Sequence, residues 1–261
     1  MEKSVLGVLG GMGGLASAEF VKTVYELSGG VCQREQDEPV VLMYSDPAFP
    51  DRTEAFLRGE TQPILTRLIE ALELLCSMGA THIVICCMTI HYLLPQVPEA
   101  LRQRIISLTD VIFSSVESLK KKHLVISSRG TIKLKLLQQH PRWEYTRNYF
   151  VFPSEAEQQQ MHDLIYEVKL NRNLREARSF IETLLVRYGV NSFIVACSEI
   201  HLLAKQFAPS SPKQHGYGCI DPLAIIAWNV VEQNNYGTSK CAALNRTDNS
   251  KHARAGSNLV W

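Results

Sequence analysis

The chain has 261 residues, 27 Lys and Arg against 26 Asp and Glu, a net charge of +1 and 46% hydrophobic residues. That length holds ample core for two domains or one large one, the near-neutral charge gives no electrostatic case for nucleic acid, and no apolar run reaches the roughly 20 residues of a membrane span. Seven cysteines in a chain this long are no disulfide framework, and Met1-Glu2-Lys3-Ser4 leads straight into a strand pattern with no room for a secretory leader, so the expectation is a soluble cytoplasmic protein.

Ser4 to Leu9 reads as a short apolar strand running into Gly10-Gly11-Met12-Gly13-Gly14, with a helix from near Ala16. Glycines let the chain turn tightly and approach a ligand, and a helix start favours an anion. Gly11-x-Gly13-x-x-Ala16 mimics a dinucleotide fingerprint, and a strand-to-helix turn with no ligand accounts for it equally well. Val40 to Tyr44 is a second strand, followed by turn residues from Ser45 to Thr53. Arg52 in that loop is either a solvated cation or a fork for a carboxylate. Thr61 to Met78 carries helical periodicity through Ile64, Leu65, Leu68, Ile69, Leu72 and Leu75, closed by Gly79.

From Gly79 an apolar run leads to Cys87, Thr89, Ile90 and His91. It reads as a buried parallel strand with the Cys at its carboxyl end, where open α/β sheets place ligands. Ala100 to Leu119 is helical with a break near Leu108, and His123 to Ser127 is a strand running into Ser128-Arg129-Gly130-Thr131, an echo of the opening glycine loop. Glu155 to Leu170 is a polar amphipathic helix in which Lys169 is by default a solvated charge. Leu174 to Tyr188 is the helix before a second apolar run. That run repeats the first: Gly189 is followed eight residues later by Cys197, then Ser198, Glu199, Ile200 and His201. Ile220 to Val231 reads as a strand end and a last helix, and from Gln233 the composition turns polar with little packing expected.

A duplicated strand end with a thiol in each copy suggests two thiols facing one pocket. Cys86, inside its apolar run, reads as core. For Cys87 and Cys197 the alternatives are core packing, a metal site with the two His, or a disulfide; the tight CxxC pairs usual in structural zinc sites are absent, and cytosolic thiols are kept reduced. A thiolate is a competent base. Two thiols on opposite faces of one carbon can remove a proton from one side and return one from the other, inverting a stereocentre. The weakly acidic α-proton of an amino acid then demands preorganised donors at the carbanionic transition state, for which Thr89, Ser198, Thr131 and strand-end N–H groups are candidates. An acidic substrate would give Arg52 and Lys169 a purpose.

At these residues the chain resembles the aspartate/glutamate racemase family, over roughly residues 4–231, and is most similar to its PLP-independent aspartate racemase branch. Gly7-Val8-Leu9-Gly10-Gly11-Met12-Gly13-Gly14 resembles the family's glycine loop, with Gly14 where a Pro is usual. Pro50-Asp51-Arg52-Thr53 resembles its substrate-carboxylate loop, Cys87-Met88-Thr89-Ile90-His91 its first catalytic motif with Met88 for the usual Asn, and Cys197-Ser198-Glu199-Ile200 its second with Ser for Thr. Ile165 to Lys169 resembles the segment with a substrate-binding Lys.

The resemblance implies an α/β protein of two similar lobes in pseudo-two-fold relation. Each lobe is a small parallel sheet flanked by helices, and the active site lies in the cleft between them. Residues 1–105 plus 208–232 would form the first lobe, 106–207 the second and 233–261 a polar C-terminal tail. It implies Cys87 and Cys197 as catalytic residues, and Gly11, Met12, Arg52, Met88, Thr89, Thr131, Lys169, Ser198 and Glu199 as substrate-binding. It also implies a homodimer that racemises aspartate with no cofactor and no metal, and no nucleic-acid or membrane partner. The other readings are a glutamate or broad-specificity racemase, a related decarboxylase or cis-trans isomerase, a nucleotide-binding oxidoreductase on the glycine loop, and a non-catalytic dicarboxylate-binding protein.

Overall fold

The computed structural model describes residues 4–207 and 216–238. Its elements in chain order are β1 (Val5–Gly10), α1 (Gly14–Ser28), β2 (Val40–Ser45), α2 (Arg52–Leu57), α3 (Gln62–Ser77), β3 (His82–Ile85), α4 (Glu99–Arg102) and α5 (Leu108–Leu119). There follow β4 (His123–Ser127), α6 (Arg129–Lys133), α7 (Trp143–Thr146), β5 (Phe150–Val151), α8 (Glu155–Lys169), α9 (Leu174–Arg187), β6 (Ser192–Ala196), α10 (His201–Ala204), β7 (Gly218–Ile220) and α11 (Pro222–Thr238).

The strands form two parallel sheets, in the orders β2-β1-β3 and β5-β4-β6-β7. One pattern is used twice. β1 lies beside β3 with Val8 opposite Val84, and β4 lies beside β6 with Ile126 opposite Val195. The helices before β3 and β6 end alike. Gly79 (φ 98°) and Gly189 (φ 63°) take the left-handed conformation that glycine adopts without a Cβ penalty. Each turn then closes on the helix it follows, with Ala80 N–H donating to Leu75 and Val190 N–H to Leu185. These two stops aim the thiol strands into their sheets.

Parallel sheets need cover on both faces. α3 covers one face of the first sheet with Ile64, Leu68, Leu72 and Leu75, all fully buried, each worth roughly 1.5–3 kcal/mol in the folded state. α8 and α9 cover one face of the second through Ile165, Val168, Ile181 and Leu184. The remaining faces share one core, which joins Val8 of β1, Phe20 of α1, Phe113 of α5, Val125 of β4, Ile194 of β6 and Ile226 of α11. The lobes are therefore joined on the α1–α5–α11 side, and the carboxyl ends of β3 and β6 meet on the other.

The segment expected to return to the first lobe divides. Residues 208–215 lie outside the described residues. β7 extends the second sheet, with Phe193 opposite Cys219, while α11 packs on α1 and α5. The polar tail expected from Gln233 starts later, because α11 runs on to Thr238: Asn234 is buried and its side-chain amide donates to the Asp37 carbonyl at 2.5 Å. The rest of that tail lies outside the described residues. No helix among the described residues is long and apolar enough to cross a membrane.

Candidate active site

Cys86 N–H donates to Leu9 at 2.9 Å, the last rung that ties the β3 end to β1. Side chains alternate along extended backbone, so neighbouring thiols part: Cys86 enters the shared core, and Cys87 turns toward the cleft. Cys197 follows β6 directly. Both Cys87 and Cys197 are 6% exposed, and both line one cavity of about 20 Å³. All described cysteines are free thiols. Larger hollows of about 260 and 440 Å³ lie elsewhere, and neither is lined by a cysteine.

The two thiols meet different partners. Cys87 faces the guanidinium of Arg52, which the nearby thiol, Asp51 and Glu199 keep charged against the opposing effect of burial. Arg52 is itself pinned. It donates to the carbonyls of Pro50 at 2.9 Å, Phe49 at 3.4 Å and Met12. Cys197 Sγ donates to Glu199 Oε2 at 2.9 Å, and the Ser198 hydroxyl shares that oxygen at 3.3 Å. Burial, the Glu199 charge and this bond push the Cys197 thiol well above its ordinary range, with Lys169 pulling the other way.

Met12, Met88, Thr89, Lys169, Ser198 and Glu199, expected at a substrate site, line the same cavity. Thr131 is fully buried behind Thr89, with their hydroxyls 3.3 Å apart. Gly11 does not line it. At φ 87° it is a turn position, and a Cβ there would collide with the Asp46 backbone. Gly13 is crowded too, since a Cβ would strike Glu199 Oε1. The glycine loop thus admits a carboxylate from the other lobe at the place where a dinucleotide phosphate would need to approach.

Three further residues line the cavity without having been assigned a role from sequence: Asp51 and Thr53, which flank Arg52 in its loop, and Ser128. Ser128 Oγ lies 3.3 Å from Thr89 Oγ1 and 3.4 Å from Thr131 Oγ1, so three buried hydroxyls from both lobes surround one corner. Their separations exceed the usual 2.7–2.8 Å, which leaves bonding capacity for a guest. Asp51 caps α2 by accepting from Glu54 N–H at 3.0 Å and takes the Tyr166 hydroxyl of α8 at 2.6 Å. Lys169 Nζ sits 4.1 Å from the centre of the Tyr166 ring. The signals were an Asp three residues before a Glu at a helix start, and a Tyr three residues before Lys169 on one helical face.

The ring nitrogens of the paired His residues all have partners within the protein. Leu108 N–H donates to His91 Nε2 at 3.1 Å, so Nδ1 carries the proton and donates to the Cys87 carbonyl at 3.0 Å. Burial lowers the His91 pKa to about 4, in keeping with this neutral ring. His201 Nδ1 lies 2.6 Å from Asp221 Oδ2, and its Nε2 is 3.2 Å from Thr23 Oγ1. Asp221 in turn caps α11 by accepting from Leu223 and Ala224 N–H. Each His thus fastens the loop after its thiol to a helix start. No cluster of three or more His, Cys, Asp or Glu among the described residues could hold a metal.

Two parallel α/β lobes thus bring thiol-bearing strand ends to one buried cavity, and the sequence family gives the class of protein, a racemase. The chain belongs to the Asp/Glu/hydantoin racemase family, whose sequence model matches residues 9–230. Its fold is similar to that of a Picrophilus torridus aspartate racemase (21% identity, TM-score 0.73, covering 97% of this chain and 99% of that one). An aspartate racemase homologue from Pyrococcus horikoshii OT3 matches at 19% identity and TM-score 0.61, covering 90% and 99%. Glutamate racemase isoform RacE1 from Bacillus anthracis matches at 15% identity and TM-score 0.56, covering 91% and 83%.

Proposed function

We propose that the protein interconverts L- and D-aspartate without PLP, with Cys87 and Cys197 as the two acid/base residues. The observation that carries this reading is the pair of strand-end thiols lining one buried cavity with Arg52 and Lys169. A thiolate removes the α-proton from one face, and the opposite thiol donates a proton to the other, so the stereocentre inverts and the two sulfurs exchange protonation states. Cys197, whose proton is held on Glu199, is the donor in the resting site. The hydroxyls of Thr89 and Ser128, backed by Thr131, are placed to receive the α-carboxylate. Arg52 and Lys169 supply positive charge for the second carboxylate.

Met12 and Met88 fill space in the cavity wall, and what remains is about 20 Å³. Roughly 10–15 Å³ already holds one water, so the described state is closed around a volume smaller than any amino acid. The lobes must part to admit a substrate. The first-lobe and second-lobe boundaries drawn above, with β7 moved to the second, and a homodimeric assembly complete the reading; sedimentation tests the assembly.

The test is incubation with each enantiomer of aspartate and glutamate in deuterium oxide without PLP, followed by chiral analysis. Aspartate should take up α-deuterium and drift to a racemic mixture faster than glutamate. Absence of α-exchange from both amino acids would remove the racemase reading for this chain.

A further inference from the structure

Two buried polar atoms of cavity-lining residues have no hydrogen-bond partner in the protein: Glu199 Oε1 and Arg52 Nε. They have opposite needs. One is a carboxylate oxygen lacking a donor, the other a guanidinium N–H lacking an acceptor. Glu199 is 3% exposed and Arg52 9%, and both residues line the cavity. Buried polar groups are almost always satisfied, and an unmet one calls for an explanation.

The rest of each side chain is committed. Glu199 Oε2 accepts from the Cys197 thiol and the Ser198 hydroxyl. The two Arg52 Nη atoms donate to main-chain carbonyls. Glu199 Oε1 rests against Gly13, the one residue type that leaves it room. Pinned in this way, the two groups form no hydrogen bond with each other, although each lies within the other's electrostatic reach. A guest that carries both a cation and an anion would satisfy both atoms at once.

We propose that Glu199 Oε1 is the receptor for the substrate's α-ammonium, and that it restricts the site to acids bearing a cationic amine on the reacting carbon. This rests on the amino-acid racemase reading and goes beyond it by assigning the amine. A charge-assisted bond to the carboxylate is the strong kind, and a site built for a donor rejects an analogue that lacks it. A 2-hydroxy acid offers Oε1 a neutral donor, and a plain dicarboxylate offers none. Because Oε2 of the same carboxylate holds the Cys197 thiol, a single group binds the amine and sets that thiol against the face of the α-carbon that receives its proton. The bound ammonium also shares the charge by which Glu199 holds the thiol proton, so amine binding readies Cys197 to give it up.

The experiment is calorimetric titration of the full-length wild type and of Glu199→Gln with racemic aspartate, malate and succinate, together with racemisation kinetics on aspartate. Wild type should bind aspartate at least about tenfold more tightly than succinate, with malate between them. Glu199→Gln should weaken aspartate about 10- to 100-fold and leave succinate within threefold of its wild-type value. Equal affinity of wild type for aspartate and succinate would overturn the proposal, and that comparison needs no variant. So would a Glu199→Gln protein that holds aspartate as well as wild type, or one that loses both ligands alike. Should Glu199→Gln fail to fold, Glu199→Asp, which keeps the charge and withdraws it, must show the same selective loss. If wild type binds aspartate yet exchanges no α-hydrogen, the racemase reading fails, while the amine assignment is decided by the titrations alone.

Discussion

Replacing Arg52 by Gln removes the buried cation beside Cys87. In the free protein it also deletes the donors to Met12, Pro50 and Phe49 carbonyls. The Met12 and Phe49 carbonyls are buried, so stability should fall by about 1–3 kcal/mol for each that is left without a donor. With substrate bound the loss is greater, because a carboxylate enters the cavity and finds no cation on that side. Removing one partner of a buried charge pair costs about 3–5 kcal/mol. At 1.36 kcal/mol per tenfold, kcat/KM should drop by roughly two to four orders of magnitude. Arg52→Lys keeps the charge, but its ammonium cannot span three carbonyls as a planar fork can, and it should fall between the two. The assay is initial-rate racemisation followed by circular dichroism, with thermal unfolding on the same samples. Near-normal kcat/KM in an Arg52→Gln protein that unfolds at a lower temperature would show that this guanidinium is a structural brace for the 49–52 turn and does not meet substrate.

His91 should make the fold acid-sensitive: its pKa is about 4 when folded against 6.5 in a model peptide, so the unfolded chain binds a proton that the native state refuses. The stabilisation is complete above about pH 6.5 and is lost as pH falls to about 4, a change of about 3 kcal/mol; denaturant titrations of His91→Gln should show a dependence shallower by one proton, and an unchanged slope would refute the neutral-ring assignment. Tyr166→Phe deletes the 2.6 Å bond to Asp51 across the lobes, a bond to a charged group worth about 1.5–3 kcal/mol. Iodoacetamide should then reach Cys87 and Cys197 roughly tenfold faster or more, and an unaltered alkylation rate would show that this bond does not hold the mouth closed. Gly11→Ala forces a Cβ into the Asp46 backbone at a positive φ, which costs at least about 1–2 kcal/mol and should lower Tm by several degrees; a wild-type Tm would contradict the turn role given to this glycine.

Much of the scaffold was legible because its signals are local. The Gly-to-Cys spacing of the two thiol runs placed both sulfurs at strand ends, and the helical periodicity of 61–78 falls within a residue of α3 at each end. The break near Leu108 is a helix start, capped by Ser107 accepting from Asp110 N–H. β5 and β7 span only two and three residues, too short for any period, and they are strands only because β4 and β6 offer free edges. His91 and His201 occupy matching places in the repeat, yet what they do depends on Leu108, Thr23 and Asp221, which the sequence cannot place beside them. Asp51 and Ser128 sit in loops the sequence singles out for their neighbours Arg52 and Thr131, and their own place in the cavity wall emerges only where the two lobes meet. Gln233 and Asn234 looked like the start of a tail because polarity says nothing about a carbonyl waiting on Asp37.

The account turns on two thiols serving two faces of one carbon. Its most direct measurement gives Cys87→Ser and Cys197→Ser each enantiomer of aspartate in deuterium oxide, and follows α-exchange and racemisation separately. A hydroxyl is a far weaker base than a thiol at neutral pH. Both variants should therefore lose racemisation almost completely, and any α-exchange that survives should be confined to one enantiomer, opposite in the two proteins. If either Ser variant racemises aspartate at close to the wild-type rate, that cysteine is not an acid/base residue and the two-thiol mechanism is wrong.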